Sequence, residues 1–474
     1  MIRPAGAFFL LVFGVFAVAT SAQETQKIKG PDERYKVDIL VVVAHPDDEG
    51  AVTPYLARAI YDQHKTVAAV FGTRGGSGGN DYRREHGPAM ADVREIEARQ
   101  ACAKLGIDKV WFLGGKDTAS QNVLNSLANW GHGQSLEELV RIVRLTRPEV
   151  ILTWLPGIFI GENHGDHQAA GVLATEAFDL ANDPVAFPAQ LAAASKRLEP
   201  YLEDLTPWQP KKIYYFSDAS DQTQFAGHGF AYSVREVSQS QKKPYWLLAM
   251  RAAQPHLTQF PEEIHRWASL DDEAIQKAMS GPSHLWWSEP ETLIFGKAAK
   301  VGAPNLHVVE TSDVFADAVA QPAEKQVPVE ELPVISGPMK TSVKVGGPWE
   351  FYESFRIKHG LRQLPVAAGP EIAVRPGTVV AVPVHVIRPE LAQAVFTLTA
   401  DVPAGWKVTV GTGKFSVAQG TDAQFRVEVQ TPELSKEQLK ETKPQTIVVH
   451  ASEGEKSVGD VKLKVQLVSG GVPQ

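Results

Sequence analysis

The stretch Val37–Gly50, VDILVVVAHPDDEG, constrains this chain more than any other. Its apolar, largely β-branched run from Val37 to Val43 has the composition of a strand buried on both faces, and it stops abruptly at His45, Pro46, Asp47, Asp48 and Glu49. An imidazole and three carboxylates at the C-terminal tip of such a strand fit an open α/β sheet, where ligands bind beyond the carboxyl ends of the strands. Adjacent Asp47 and Asp48 repel each other unless something positive sits between or beside them. The nearby histidine makes a divalent metal the simplest such charge. An ordinary strand-to-helix turn, with one aspartate as the helix cap, is the alternative.

The same pattern recurs downstream. Thr66–Phe71 reads as a second buried strand, followed by Gly72-Thr73-Arg74-Gly75-Gly76-Ser77-Gly78-Gly79. That loop either lets the backbone approach a ligand read by Arg74, or is a flexible surface loop. Its glycine spacing matches neither a P-loop nor a dinucleotide fingerprint. Ala89–Leu105 is helical, with Arg94 and Glu97 at i,i+3, and Lys109–Leu113 is a third strand followed by Gly114, Gly115 and Asp117. Ser135-Leu136-Glu137-Glu138 is a capping-box start for a helix towards Thr146, and Glu149–Trp154 is a fourth strand. Strands alternating with helices, with the polar loops on one end, predict a Rossmann-like three-layer α/β sandwich with a mainly parallel sheet over residues 36–305.

The fourth strand leads into Glu162-Asn163-His164-Gly165-Asp166-His167, ahead of a helical run Gln168–Leu180 that Asp166 is placed to cap. His45 with one of Asp47 or Asp48 gives only two metal ligands, whereas catalytic zinc takes three and keeps a position open for water. A histidine from this second loop completes the set.

AHPDDE after the first strand, Thr-Arg-Gly after the second and His-x-Asp-His after the fourth, in that order, resemble the PIG-L/LmbE-like zinc-dependent deacetylases over about Val37 to Pro261. The resemblance implies removal of an acetyl group from an N-acetylglucosamine-type amine. It implies that His45, Asp48 and His167 hold the metal, that Asp47 is the general base, that His164 steadies the oxyanion and that Asp166 orients a histidine. It places Arg74 and Asp117 against substrate. The metal it implies is Zn²⁺, and nitrogen and oxygen donors also suit Fe²⁺ or Co²⁺. His256-Leu257-Thr258-Gln259 resembles the family's His-x-Ser-Gln ending, with His256 a structural hydrogen-bonder. Two positions depart from the pattern: Gly165 stands where proline is common, and Gly75-Gly76-Ser77 lacks the usual glutamate. Trp286 and Trp287 either floor a sugar site or pack in the core. The alternative to an enzyme is a non-catalytic, metal-containing glycan-binding protein.

Residues 1–22 hold Arg3, an apolar run Ala5–Ala19 and Thr20-Ser21-Ala22, the pattern of a cleaved signal peptide. Export to the periplasm or beyond follows, with no later stretch long and apolar enough to span a membrane. Losing Arg3 takes the formal charge from −8 to −9, an acidic balance that argues against nucleic acid or an anionic membrane surface as partner. The single cysteine, Cys102, forms no internal disulfide and sits in a helical pattern as core. Prolines and glutamates around 318–347 suggest a linker or strap over 306–365. Beyond it, Val379–Ile387, Ala394–Ala400, Lys407–Val410, Gln424–Gln430, Thr446–Ala451 and Val461–Val468 read as strands of an all-β, Ig-like sandwich over 366–474.

Overall fold

The computed structural model describes residues 30–80, 84–159, 164–192, 204–259, 266, 269–279, 286–299, 307–308, 312–316, 320–321, 341–389, 392–419 and 421–469. The expected signal peptide at 1–22, and Glu162 and Asn163, lie outside them.

Strand β1 (Ile39–Val43) is buried along its whole length and lies inside a seven-stranded sheet, between β2 (Val67–Thr73) and β4 (Val150–Trp154). With β3 (Lys109–Gly115), β5 (Lys212–Phe216), β6 (Gly229–Tyr232) and β7 (Glu291–Ala298), the order is β3-β2-β1-β4-β5-β7-β6. The first five strands run parallel, with Ile39 opposite both Val67 and Val150, whereas β7 and β6 pair antiparallel. The order reverses direction between β1 and β4, and the loops leaving those two strands diverge to open a crevice there. Those loops carry the two histidine motifs.

Helices α1 (Thr53–Tyr61), α2 (Pro88–Lys104), α3 (Val123–Asn129), α4 (His132–Thr146), α5 (Gly165–Leu180), α6 (Tyr245–Ala253) and α7 (Asp272–Ala278) cover the sheet. α5 packs on β1 and β4 and touches α3 and α4, while α6 packs with α1 and α2. Two helix starts differ from expectation. α4 begins at His132, and the Ser135 hydroxyl donates back to the Trp130 carbonyl at 2.7 Å instead of capping. α5 begins at Gly165, and its cap is His164, whose Nδ1 accepts the Asp166 N–H at 3.2 Å. Cys102 is buried in the core.

After the two-residue strands β8 (His307–Val308) and β9 (Ala320–Gln321) comes β10 (Ser342–Val345), then α8 (Gly347–Lys358). Nine strands make a two-sheet sandwich: β10 with β12 (Val379–Ile387), β16 (Ala423–Gln430) and β14 (Lys407–Val410) in one sheet. β11 (Glu371–Val374), β18 (Lys456–Leu467), β17 (Gln445–Glu453), β13 (Ala394–Asp401) and β15 (Gly413–Val417) form the other, and α9 (Lys436–Glu441) connects β16 to β17. Pairs are antiparallel except β11 with β18. Alternation is plain in β18, where Val461, Leu463, Val465 and Leu467 point inward.

The segment expected as a linker is only partly one. Residues 342–345 are an edge strand of the sandwich, and Tyr352 and Phe355 of α8, with Leu361 and Leu364 after it, belong to the α/β core. An i,i+3 aromatic pair with Pro348 in the first turn outweighs the surrounding proline-rich composition. Among the described residues no helix is long and apolar enough to cross a membrane.

Candidate active site

The turn that follows β1 is built around Asp48. Its Oδ2 accepts three N–H groups, from the backbone of Ala44 and His45 and from the Trp154 indole, each at 2.9 Å. Its Oδ1 faces His167 Nε2 at 3.3 Å. Burial opposes ionisation, but His167 and His45 hold the carboxyl well below the usual carboxylate range. One oxygen is therefore fixed by three N–H groups while the other faces His167. Trp154, the last residue of β4, serves both partners, because its ring also stacks on His167 with centroids 4.1 Å apart and planes 3° from parallel.

His45 sits between Asp48 and Asp166, with Nδ1 3.5 Å from the former and Nε2 3.2 Å from the latter. Burial lowers its basicity, but the two carboxylates overcome that and push it up to about 10. Asp166 is itself fixed by the Thr118 N–H at 2.7 Å. Two donor sets converge: His45, Asp48 and His167, and His45, His164 and Asp166, each with one ligand atom per residue within 4.8 Å of the others. Two imidazoles and a carboxylate at this spacing fit a divalent transition metal such as zinc. The first set keeps Asp47 and His164 as free neighbours.

Asp47 stands at φ 103°, a conformation that side chains other than glycine rarely adopt. The Glu49 carboxylate holds it there by accepting the Asp47 N–H at 3.0 Å, and Glu49 in turn meets buried His256 at 2.6 Å. Burial, then the charge of Asp48, pushes Asp47 up to about 7. His164 moves the other way, down to about 3, through burial and the neighbouring His45 and His167. With Nδ1 accepting from Asp166, a neutral His164 carries its proton on Nε2. A neutral His164 thus keeps an Nε2 proton that can be donated.

Residues 40–178 match the sequence model of a family described as PIG-L, GlcNAc-PI de-N-acetylase. They form a PIG-L domain. The chain is 31% identical over 188 residues to a 1D-myo-inositol 2-acetamido-2-deoxy-alpha-D-glucopyranoside deacetylase 1 of Frankia alni, covering 36% of this chain and 59% of that protein. It is 34% identical to the corresponding protein of Frankia casuarinae, over 31% of this chain and 52% of the relative. The chain thus spans little more than half the length of these curated relatives. Among solved structures it is similar to the N,N'-diacetylchitobiose deacetylase of Pyrococcus horikoshii, at 19% identity and a TM-score of 0.38, over 54% of this chain and 83% of that one.

In the PIG-L domain and the segments after it, the ends of all five parallel strands contribute to one cavity of about 1440 Å³. Its floor holds His45, Asp47, Asp48, His164 and His167. Asp117 lines it too: one oxygen accepts the Ser77 N–H at 2.7 Å, and the other is buried with no hydrogen-bond partner among the described residues. Arg74 is not brought to the cavity, contrary to expectation. It is paired with Asp92 at 2.5 Å and Glu95 at 2.7 Å on α2. The cavity arginine is Arg94, whose guanidinium donates to the carbonyls of Gly75 at 2.6 Å and Gly79 at 2.7 Å and to Thr258. Glu97 accepts from Thr258 as well, so the i,i+3 pair converges on a third residue.

Gly165 explains one departure from the family pattern. Its N–H donates to the Ser120 carbonyl at 2.8 Å, a bond that proline lacks, and a Cβ there would lie 2.9 Å from the Asn122 carbonyl oxygen. Trp154, Thr118 and Arg94 escaped sequence reasoning. The one available signal was a tryptophan ending a strand just ahead of the histidine loop.

Proposed function

We propose that this chain is an exported, metal-dependent N-deacetylase, using zinc to remove the acetyl group of an N-acetylglucosamine-type amine in the cell envelope. The observation that carries the reading is the convergence of His45, Asp48 and His167 beside a free carboxylate, Asp47, on the floor of one cavity. The names of the related Frankia deacetylases support the amino-sugar substrate class. The signal-like pattern of residues 1–22 supports export.

Bound by His45, Asp48 and His167, a divalent cation supplies Lewis-acid polarisation of the acetyl carbonyl and a water acidic enough to attack near neutral pH. The protein's own groups do the rest. Asp166 and Thr118 hold His45 in place, and the three N–H donors hold Asp48. Asp47 takes the proton of the attacking water and later delivers it to the leaving amine. His164 donates its Nε2 proton to the developing oxyanion, an effect worth about 3 kcal/mol per donor in comparable sites. The Asp117 oxygen that has no partner among the described residues accepts from a sugar hydroxyl.

Elemental analysis of the purified protein, paired with acetate release from a simple N-acetylglucosamine glycoside before and after chelation, tests this. About one metal per chain with chelator-sensitive release supports it. Bound metal with no release from any acetamido sugar favours the non-catalytic glycan-binding reading. Absence of metal removes the basis of both.

A further inference from the structure

Among the described residues α8 lines no part of the cavity, yet it is fastened to both cores. Its N-terminal end is held by the sandwich. Glu350 pairs with His385 Nδ1 of β12 at 2.8 Å and with Lys344 of β10 at 2.9 Å, and Trp349 packs against the sandwich core. Its C-terminal end is held by the α/β body. There His359 Nδ1 meets one oxygen of Asp179 at 2.7 Å, and Lys297 of β7 joins both Asp179 oxygens, at 2.6 and 2.7 Å, to the His359 carbonyl at 2.9 Å. Asp179 lies on α5, the helix whose first turn carries Asp166 and His167.

Between these two ends Tyr352, 8% exposed, reaches the loop that leaves β4. Residues 155–159 of that loop are buried, and a Cβ at Gly157 would lie 2.9 Å from the Tyr352 hydroxyl and 3.0 Å from the Phe159 ring. The hydroxyl has no hydrogen-bond partner among the described residues, so packing alone sets the place of the tyrosine ring. On its other side the loop presses on α5: a Cβ at Gly171 would overlap the Trp154 carbonyl oxygen and lie 3.0 Å from the Pro156 nitrogen. Trp154 stacks on His167 and donates to Asp48. Close packing therefore runs from Tyr352 through Gly157 and Trp154 to two residues of the first donor set, and packing of this density transmits displacement.

We infer that α8 is a strut through which the sandwich holds the metal site in shape, with Tyr352 and His359 as positioning residues. Tyr352 acts on Trp154 through Gly157, and His359 acts on α5 through Asp179. This rests on the reading of His45, Asp48 and His167 as metal ligands, and it gives the sandwich a part in metal affinity.

The test measures Zn²⁺ affinity of the full chain by competition with a chromophoric chelator, and the visible absorption of the Co²⁺-loaded protein, both well below each variant's melting temperature. Tyr352→Ala and His359→Leu should each weaken Zn²⁺ binding by about tenfold, the low end for residues that orient ligands from outside, and alter the Co²⁺ bands. Tyr352→Phe and His359→Asn should retain wild-type affinity, since the first keeps the ring and the second an N–H donor for Asp179. Gly157→Ala crowds the same contact from the loop side and should weaken binding too. Combined with Tyr352→Ala, its loss should be smaller than the product of the two single losses. Glu350→Ala, at the sandwich end, should shift affinity in the same direction by a smaller factor. Melting temperatures that fall while Zn²⁺ affinity and Co²⁺ bands stay at wild-type values overturn the strut, and unchanged affinity in Glu350→Ala alone overturns the sandwich's share in it. Neither readout needs turnover. Affinity changes in a protein that releases no acetate keep the strut and overturn the deacetylase reading, whereas acetate release with unmoved affinity does the reverse. A wild-type chain that binds neither ion overturns both.

Discussion

In the proposed reaction Asp47 is the general base, and its backbone is held in an unfavourable conformation by a carboxylate two positions later. Asp47→Ala should keep its metal and lower kcat by about 10²–10⁴, the usual contribution of a positioned general base, as read by elemental analysis and acetate release on one sample. A second prediction concerns His45. Because Asp48 and Asp166 outweigh burial and push His45 up to about 10, metal uptake at pH 7 should release about one proton, measurable by calorimetry in buffers of different ionisation enthalpy. Affinity then weakens as pH falls. A third concerns Glu291, which burial pushes up to about 7. Between the ordinary glutamate range and pH 7 the unfolded chain has released this proton and the folded chain has not, so stability falls as pH rises across that window. Glu291→Gln should abolish the fall, and its melting temperature should gain on wild type from pH 5 to pH 8, by at most about 3 kcal/mol in stability. Residue identities at the site were legible because histidines and aspartates clustered at strand ends have few uses. Their partners were not: nothing in Thr-Arg-Gly distinguishes an arginine that meets ligand from Arg74, which turns back onto α2, while Arg94 crosses under the loop from a helix.

The first turn of α5 carries His164, Asp166 and His167, so the position of that helix sets the site. Gly165→Pro removes the bond to Ser120 and crowds Asn122, and should lower stability by about 2–4 kcal/mol, with metal affinity falling alongside, both read by melting with and without added zinc. Elements were legible in proportion to how much of their burial the chain could advertise. β1, β2 and β4 are continuous apolar runs, and β12 and β14 fall on the residues expected. β10 and β15 carry mostly half-buried or exposed residues and give no comparable pattern. The starts of α4 and α5 were misjudged for a related reason. A serine and an aspartate looked like caps, but Ser135 bonds backwards to Trp130 and a histidine takes the cap of α5.

At the scale of the molecule, five loops from one edge of the parallel sheet meet in a single cavity, and a second apolar core organises the sandwich. α8 belongs to the first core although it follows a strand of the second. A chain ending at 340 lacks Tyr352, Phe355, Leu361 and Leu364, each buried, and should lose upward of about 5 kcal/mol relative to one ending at 366, as denaturant titration of the two would show. The path of the chain here has a consequence for inheritance. It enters the sandwich at β10, returns to the α/β body with α8, and enters the sandwich again at β11. A single recombination breakpoint anywhere between 342 and 371 therefore divides one core or the other. The sandwich cannot be grafted onto a different catalytic body with its own first strand unless α8 travels with it, and the two parts change ancestry together or not at all.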